Sequence, residues 1–436
     1  MSSGIGIGIA GPAAAGGFVL PPALRTPAQP VVTDTSFGFE LPETVAGRNS
    51  ARADFGGRPL DAALPRPLMA AWETISGGVL KGIDLLWPEE RPTPPAAQLT
   101  TPLARAQDGE RALVDEHAFL GSPARFHNEG WKVWRTEAWP LGQVLHARVA
   151  LAMSTGDWSS VDATLREFEA YRDGDGFVGG TGLGDRYYDD NEWIGLAAMQ
   201  AYTATGDSRY LHHAERTFRM VETGAHPDGG MYWHEQDRSG RHTCSTAPAG
   251  ELAMQLYEAT GEQRYLRFAS EQASWLAQNL RLPSGMYADA VTDAGSVNAD
   301  TLTYNQGAPI GLDVQLYRAT GDRAYLDRAR STADATIASF QGDRLWKQPP
   351  AFNAIFFRNL LALHAVAPDP RYVQAVDSYL DRVWSEARNP DTGLFDQGDI
   401  GYYYFADGPG NVLDQAAITQ LFAIRALPPE QWATLT

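Results

Sequence analysis

The sequence predicts an all-α protein, a closed ring of six helical hairpins with long loops gathered on one face. Three observations predict it: an internal repeat, apolar spacing of helical period, and connections that alternate between very short and long. The triplet Thr-Gly-Asp or a close variant recurs at Thr155-Gly156-Asp157, Thr205-Gly206-Asp207, Thr260-Gly261-Glu262 and Thr320-Gly321-Asp322. Ala367-Pro368-Asp369 occupies the next equivalent place. The interval is roughly 50 to 60 residues, the scale of a repeated supersecondary unit. Three copies share flanks as well: AYTATGDSRYLHHA, LYEATGEQRYLRFA and LYRATGDRAYLDRA.

The elements follow in chain order. Residues 1–67 are dominated by Gly, Pro, Ala and polar residues without sustained periodicity, which reads as extended or disordered chain. Met69 to Trp87 suits a short helix interrupted at Gly77-Gly78, and Pro88 to Pro102 reads as a linker. From there each repeat reads as helix, tight turn, helix. Gly206 suits the position just past a helix, where φ is positive, and Asp207 and Asp322 suit the N-cap of the helix that follows. Apolar spacing sets helices near 105–118, 136–154, 158–172, 189–205, 208–224 and 243–260, then 263–280, 304–320, 323–340, 351–366, 369–387 and 411–426. The chain thus divides into an N-terminal extension (1–104), a helical domain (105–428) and a short tail (429–436).

The Thr-Gly-Asp turns lie at one end of the bundle. The opposite connections are long and rich in Gly and aromatics: GDGFVGGTGLGDRYY, HPDGGMYWHEQDRSGRH, LPSGMYADAVTDAGSVNADTL and NPDTGLFDQGDIGYYYFADGPG. Long irregular loops in a compact domain usually carry function. The helices that follow them are Ala-rich and apolar nearly all round, so they form the inner ring, and their N-termini surround one cavity. Those starts contribute Trp139; Asp189 and Asp190; His242, Thr243 and Ser245; Tyr304, Asn305 and Gln306; Phe352 and Asn353; and Asn411 with Asp414. Rings for stacking and amides for hydroxyls are the make-up of a carbohydrate pocket.

Asp189 and Asp190 stand out among these. Glycoside hydrolysis needs two carboxyl groups flanking the scissile bond. Consecutive residues at a helix start splay by about 100°, which can leave their carboxylates roughly 5 Å apart, a retaining spacing. Two close carboxylates resist double ionisation, so one can serve as an acid, while a helix N-terminus favours the other ionised. An Asp-Asp pair at a helix start is commonly only a cap and a first-turn charge. Here Tyr187-Tyr188 and Trp193 enclose it and a long loop precedes it, which puts chemistry on a level with that reading. His234-Glu235 reads as an exposed hairpin tip. DAVTDAGSVNAD resembles a calcium loop but lacks the Glu at the twelfth position. Ser245 lacks a nucleophile elbow, and no Gly-Lys-Ser/Thr follows Gly179-Gly180.

The 436 residues are 44% hydrophobic, enough for a large core, and carry a formal charge of −18, which disfavours nucleic acid as a partner. Cys244 is the only cysteine, so neither an intrachain disulfide nor a Cys-based zinc site is expected. No metal spacing is present, and no cofactor is expected. No stretch is apolar and long enough to span a bilayer. Ile5 to Leu20 is mildly apolar but has no basic residue before it, so it makes a poor signal peptide.

The stretches YYDDNEWIGLAAMQAYTATGD, HTCSTAPAGELAMQLYEATG, ADAVTDAGSVNADTLTYNQGAPIGLDVQLYRATGD and AFNAIFFRNLLAL cover most of residues 130–426. In them the sequence resembles glycoside hydrolase family 76, the endo-α-1,6-mannanases with an (α/α)6 toroid. The resemblance implies a retaining hydrolase acting on an α-mannan or manno-oligosaccharide, with Asp189 as nucleophile and Asp190 as general acid/base. It implies sugar contacts at Asp289, Tyr304, Asn305 and Gln306, and the neighbouring Tyr188, Trp193, His242 and Asn353 are candidate contacts with them. His242 stands where Asn is more usual, and Asn353 where a small residue or Lys is. A mannan substrate favours export or the cell envelope, and low Lys with high Ala and Arg suits a GC-rich bacterial genome. Two alternatives stay open: a sugar epimerase-type isomerase, which would need histidine acid/base pairs at the cavity, and an inactive glycan-binding relic.

Overall fold

Each Thr-Gly-Asp turn is built in the same way. The threonine hydroxyl donates back to the carbonyl four residues earlier, at 2.7–3.0 Å, for Thr155, Thr205, Thr260 and Thr320. Its oxygen also accepts the amide of the third triplet residue, at 3.1–3.3 Å. The glycine takes up the left-handed φ that reverses the chain, 71–78° in Gly156, Gly206, Gly261 and Gly321. The aspartate then accepts the amide two residues on, at 2.9 Å, from Asp157 to Ser159, Asp207 to Arg209, Asp322 to Ala324 and, in the fifth turn, Asp369 to Arg371. Glu262, one methylene longer, makes no such cap.

The computed structural model describes residues 94, 98–119, 122–127, 135–180, 184–398 and 410–436. The extended or disordered segment expected over 1–67 and the helix expected over Met69–Trp87 lie outside these. Twelve helices of ten or more residues are described: α1 Pro102–His117, α2 Ala138–Thr155, α3 Ser159–Phe168, α4 Tyr188–Thr205, α5 Ser208–Val221, α6 Thr243–Thr260, α7 Gln263–Asn279, α8 Tyr304–Thr320, α9 Arg323–Ser339, α10 Pro350–Val366, α11 Pro370–Arg382 and α12 Val412–Ala426. Asp343–Trp346 adds a single helical turn. Helices α2, α4, α6, α8, α10 and α12 are buried nearly all round and form the inner ring. Helices α3, α5, α7, α9 and α11 bury one face against it.

Glycines let the inner helices approach closely. A Cβ on Gly195 would stand 2.7 Å from the Leu252 side chain, and one on Gly250 2.7 Å from that of Leu312. At Gly307 the neighbour is backbone, with Phe356 Cα at 2.6 Å from such a Cβ. The ring closes between the two ends of the described chain. Gln415 donates to the Gly109 carbonyl at 3.1 Å, His117 Nε2 lies 2.7 Å from the Gly410 carbonyl oxygen, and the Arg105 guanidinium sits over Phe422. α1 is therefore the outer helix of the sixth hairpin and runs antiparallel to α12.

Three helices end earlier than the spacing predicts, among them α5, which passes into a 3-10 turn at Glu222–Gly224. α3 gives way to a 3-10 turn at Glu169–Tyr171, which carries Tyr171 into the core, where its hydroxyl donates to the Thr136 carbonyl at 2.7 Å. α11 loosens into a π turn over Val383–Ala387. The long loops hold short strands that helical spacing could not announce. β1 (Ala118–Phe119) pairs with β2 (Ser122–Phe126), and β3 (Arg172–Asp173) with β4 (Gly176–Phe177). β5 (Gly240–His242), β6 (Ala290–Thr292) and β7 (Val297–Asn298) form an antiparallel three-stranded sheet that ties two neighbouring loops together at the mouth of the ring. No helix among the described residues is long and apolar enough to cross a membrane.

Candidate active site

Asp189 and Asp190 occupy the first turn of α4, both half-buried at the mouth. The helix start is held from the neighbouring loop, because the Tyr188 amide donates to the Trp233 carbonyl at 2.9 Å. Trp233 itself turns its indole onto the pair, and Nε1 donates to Asp189 Oδ2 at 3.2 Å. Burial pushes the Asp189 carboxyl up to about 7. The Trp233 N–H and the amides of the helix start restrain that rise. Burial lifts Asp190 well above the usual carboxylate range too, and the charges of Asp189 and Glu137 add to it. Both carboxyls are thus held protonated to higher pH than a free aspartate, and hydrogen-bond donors favour the ionised form at Asp189. Such a pair can present one ionised and one protonated carboxyl together.

An aromatic wall flanks Asp189. The Trp233 ring lies 5.2 Å from Tyr187, 5.4 Å from His234 and 5.7 Å from His242, centre to centre. His234-Glu235 is not the exposed tip that the sequence suggests. The His234 ring bonds through Nδ1 to the Asp185 carboxylate, and Glu235 makes a two-pronged bond with Arg186, both contacts at 2.7 Å. That error is one of distance along the chain: the partners lie 49 residues away on a separate loop. His242, at the start of α6, faces Asp289; burial lowers the imidazole and the Asp289 charge draws it back up. Burial likewise raises Asp289, whose carboxylate accepts from Asn298 Nδ2 at 3.1 Å and Asn305 Nδ2 at 2.7 Å. A second aromatic group comes from three other inner helices. Tyr304 stacks on Phe352 with ring centres 4.0 Å apart, and Trp139 stacks on the same ring at 6.0 Å.

Four expected sugar contacts sit behind this surface instead. Tyr188 is fully buried against Met220 and Tyr232, and its hydroxyl takes a hydrogen bond from Arg238 at 2.9 Å. Trp193 is buried beneath the Arg358 guanidinium and beside His146. Gln306 is spent on clamping the loop before α8, with bonds to the Tyr287 amide and carbonyl and the Leu302 carbonyl. Asn353 does the same, donating to the Leu345 and Gln348 carbonyls and accepting from Thr303. Thr243 hydrogen-bonds the Ala288 carbonyl, Ser245 is buried, and Asn411 with Asp414 form a reciprocal cap on α12. Asp189, Asp190, His242, Tyr304 and Trp139 keep partial exposure at the mouth, with Asp289 and Asn305 just below.

Beneath the mouth lies a buried ionisable group that sequence reasoning missed. Glu192, one turn after Asp189, is fully buried, and its carboxyl rises well above its usual range through burial and then the charges of Asp189, Glu251 and Asp190. Glu251 lies 3.5 Å from the buried Arg358, which in turn donates to His146 at 3.4 Å. A charged residue inside an otherwise apolar Ala-rich helix was the available signal. No group of three or more His, Cys, Asp or Glu among the described residues is placed to hold a metal ion.

The family model described as glycosyl hydrolase family 76 matches residues 117–427. Among solved structures, the chain is similar to a family 76 glycoside hydrolase from a bovine Bacteroides thetaiotaomicron strain, with 26% identity over 75% of this chain and 78% of that one and a TM-score of 0.66. It shares the fold of a family 76 α-mannanase of Bacteroides thetaiotaomicron (19% identity, 76% of this chain, 96% of that one, TM-score 0.67). It also shares the fold of an inactive variant of an α-1,6-mannanase of Salegentibacter sp., changed from Asp to Asn at two consecutive positions and in complex with α-1,6-mannotriose (21% identity, 74% of this chain, 99% of that one, TM-score 0.61). No match was found among curated proteins.

Proposed function

The chain belongs to glycosyl hydrolase family 76 and is a glycoside hydrolase, and we propose that it cleaves α-1,6-mannosidic linkages in a mannan-type polysaccharide with retention of configuration. The observation that carries this reading is the adjacent acid pair at the mouth, both carboxyls raised by burial, with the Trp233 N–H donating to Asp189 and so favouring it as the carboxylate. In the first step the Asp189 carboxylate attacks the anomeric carbon while Asp190 gives its proton to the departing glycosidic oxygen. The resulting glycosyl ester is opened by water, whose proton returns to Asp190, and Asp189 is released as carboxylate. Tyr304 and Trp139 offer ring faces for the sugar, and His242, Asp289 and Asn305 the polar edge. The mannanase names of the structural relatives support the substrate class. The relative inactivated at two consecutive aspartates and holding α-1,6-mannotriose supports both the pair and the linkage.

A screen of linkage-defined α-mannosides tests the proposal, with products identified by mass and the first-formed anomer by NMR. The expected result is cleavage of the α-1,6 linkage with retained configuration. Cleavage of other linkages alone, or an inverted product, overturns it. A second reading, isomerisation of a free sugar, draws on one observation: the loops bring two histidines, His234 and His242, to the mouth, each beside a carboxylate. Formation of an epimer or ketose from free mannose, without release of reducing ends from mannan, would establish that reading instead.

A further inference from the structure

We propose that Trp233 is a positioning residue for Asp189, set in place by a clamp between the two loops that meet at the mouth, the Asp185–His234 bond at its centre. The inference rests on the nucleophile role proposed above. An indole N–H can only donate, so its bond to Oδ2 favours the ionised carboxylate over the acid. It also fixes the rotation of the carboxylate. Of the other groups facing Asp189, the amides of the helix start and the Cys244 thiol, held protonated by burial, also favour the carboxylate, while Asp190 and Glu192 bring like charge. His242 and Asp289 lie beyond the Trp233 ring and offset each other.

Trp233 comes from the loop between α5 and α6, 44 residues from its partner, so the contact is only as sound as that loop's placement. The placement is built in. Trp233 and the three residues after it are stitched to the four residues that precede Asp189. The Tyr188 amide donates to the Trp233 carbonyl, and the Glu235 amide to the Arg186 carbonyl at 3.0 Å. Tyr187 and His234 form an antiparallel bridge. Asp185 holds the His234 ring and takes the Gln236 amide at 3.1 Å, while Arg186 grips Glu235 with two bonds. Trp233 is half-buried at the rim instead of filling the ring's core. The clamp therefore delivers one indole N–H to one carboxylate oxygen.

The test compares Trp233→Phe, which keeps most of the ring and loses the donor, with His234→Ala, which keeps the donor and loosens the clamp. The Asp189 carboxyl is followed by 13C NMR titration of aspartate-labelled protein without substrate and identified by its disappearance in Asp189→Asn. In Trp233→Phe its midpoint rises by about one pH unit or more, and kcat/KM on an α-1,6-mannoside falls by about 10- to 100-fold, the weight of one hydrogen bond to a charged group. The acid limb of the activity profile moves up with it, and KM changes little. In His234→Ala both effects are smaller, and the double variant is no worse than Trp233→Phe alone. An unmoved Asp189 titration in a folded Trp233→Phe protein overturns the proposal, as does full additivity of the two changes. If the wild type leaves mannosides untouched while the titration still moves, the hydrolase mechanism fails and the positioning role stands.

Discussion

Replacing Glu251 by glutamine removes a titrating group from beneath the mouth while keeping its shape. The carboxyl is fully buried, and burial lifts it from the ordinary 4.5 to about 8, with Arg358 at 3.5 Å pulling it part of the way back. A carboxyl raised in the folded state is still protonated there when the unfolded chain has already ionised. Its contribution is therefore fully favourable below pH 4.5 and is lost progressively as the pH climbs to about 8. With each unit of difference equal to about 1.4 kcal/mol, the whole loss is about 5 kcal/mol above pH 8 and about 3 kcal/mol at pH 7. Glutamine does not titrate and escapes it. Urea unfolding of both proteins, followed by tryptophan fluorescence at pH 4, 5.5, 7 and 8, should give equal stabilities at pH 4. The Glu251→Gln protein should lead by up to about 3 kcal/mol at pH 7. A gap that does not change with pH, or a less stable glutamine variant at pH 7, refutes the reasoning. It would mean that the Arg358 charge holds Glu251 ionised at neutral pH.

Asp189→Asn and Asp190→Asn should each lower kcat by several orders of magnitude with the fold intact by circular dichroism, and near-wild-type turnover in either would remove that residue from the mechanism. The pH profile of kcat/KM should rise as the pair gives up its first proton at about pH 7 and fall again at higher pH as the second is lost; a flat profile from pH 5 to 9 would contradict a raised acid pair. Gly307→Ala should cost about 1–3 kcal/mol, because the added methyl meets the backbone of α10 and not a yielding side chain. A thermal midpoint equal to wild type would show that the helices can part without cost.

The ring was legible because its signals are local. The 3.6-residue spacing and the Thr-Gly-Asp stops place α6 and α8 at the residues expected, 243–260 and 304–320. The threonine's part in the turn escaped notice, since glycine and aspartate alone account for a reversal and a cap. The site was harder to read for a geometric reason. An inner helix is buried all round, so its spacing cannot separate the residues that face the mouth from those that face backwards. Asp189 and Asp190 come forward, while Tyr188 and Trp193 on the same helix point into the packing. Gln306 and Asn353 looked like sugar ligands for their amides, but the loops around them need the same hydrogen bonds. Trp233, His234 and Asp185 acquire their roles only when two loops meet, and neither loop announces the other in sequence.

Five of the six hairpins are joined by a turn at the end away from the mouth; the sixth is not. His117 meets Gly410 at the mouth, so Pro102 and Ala426 come together at the far end, where a sixth turn would lie. The seam between α12 and α1 is thus one of six equivalent places in the ring. A gene permuted to begin after Thr205-Gly206-Asp207, with a linker joining Thr436 to Leu99 so that the buried Leu99, Leu427, Trp432 and Leu435 are kept, would encode the same ring with its seam moved, and the loops around the mouth would carry over whole.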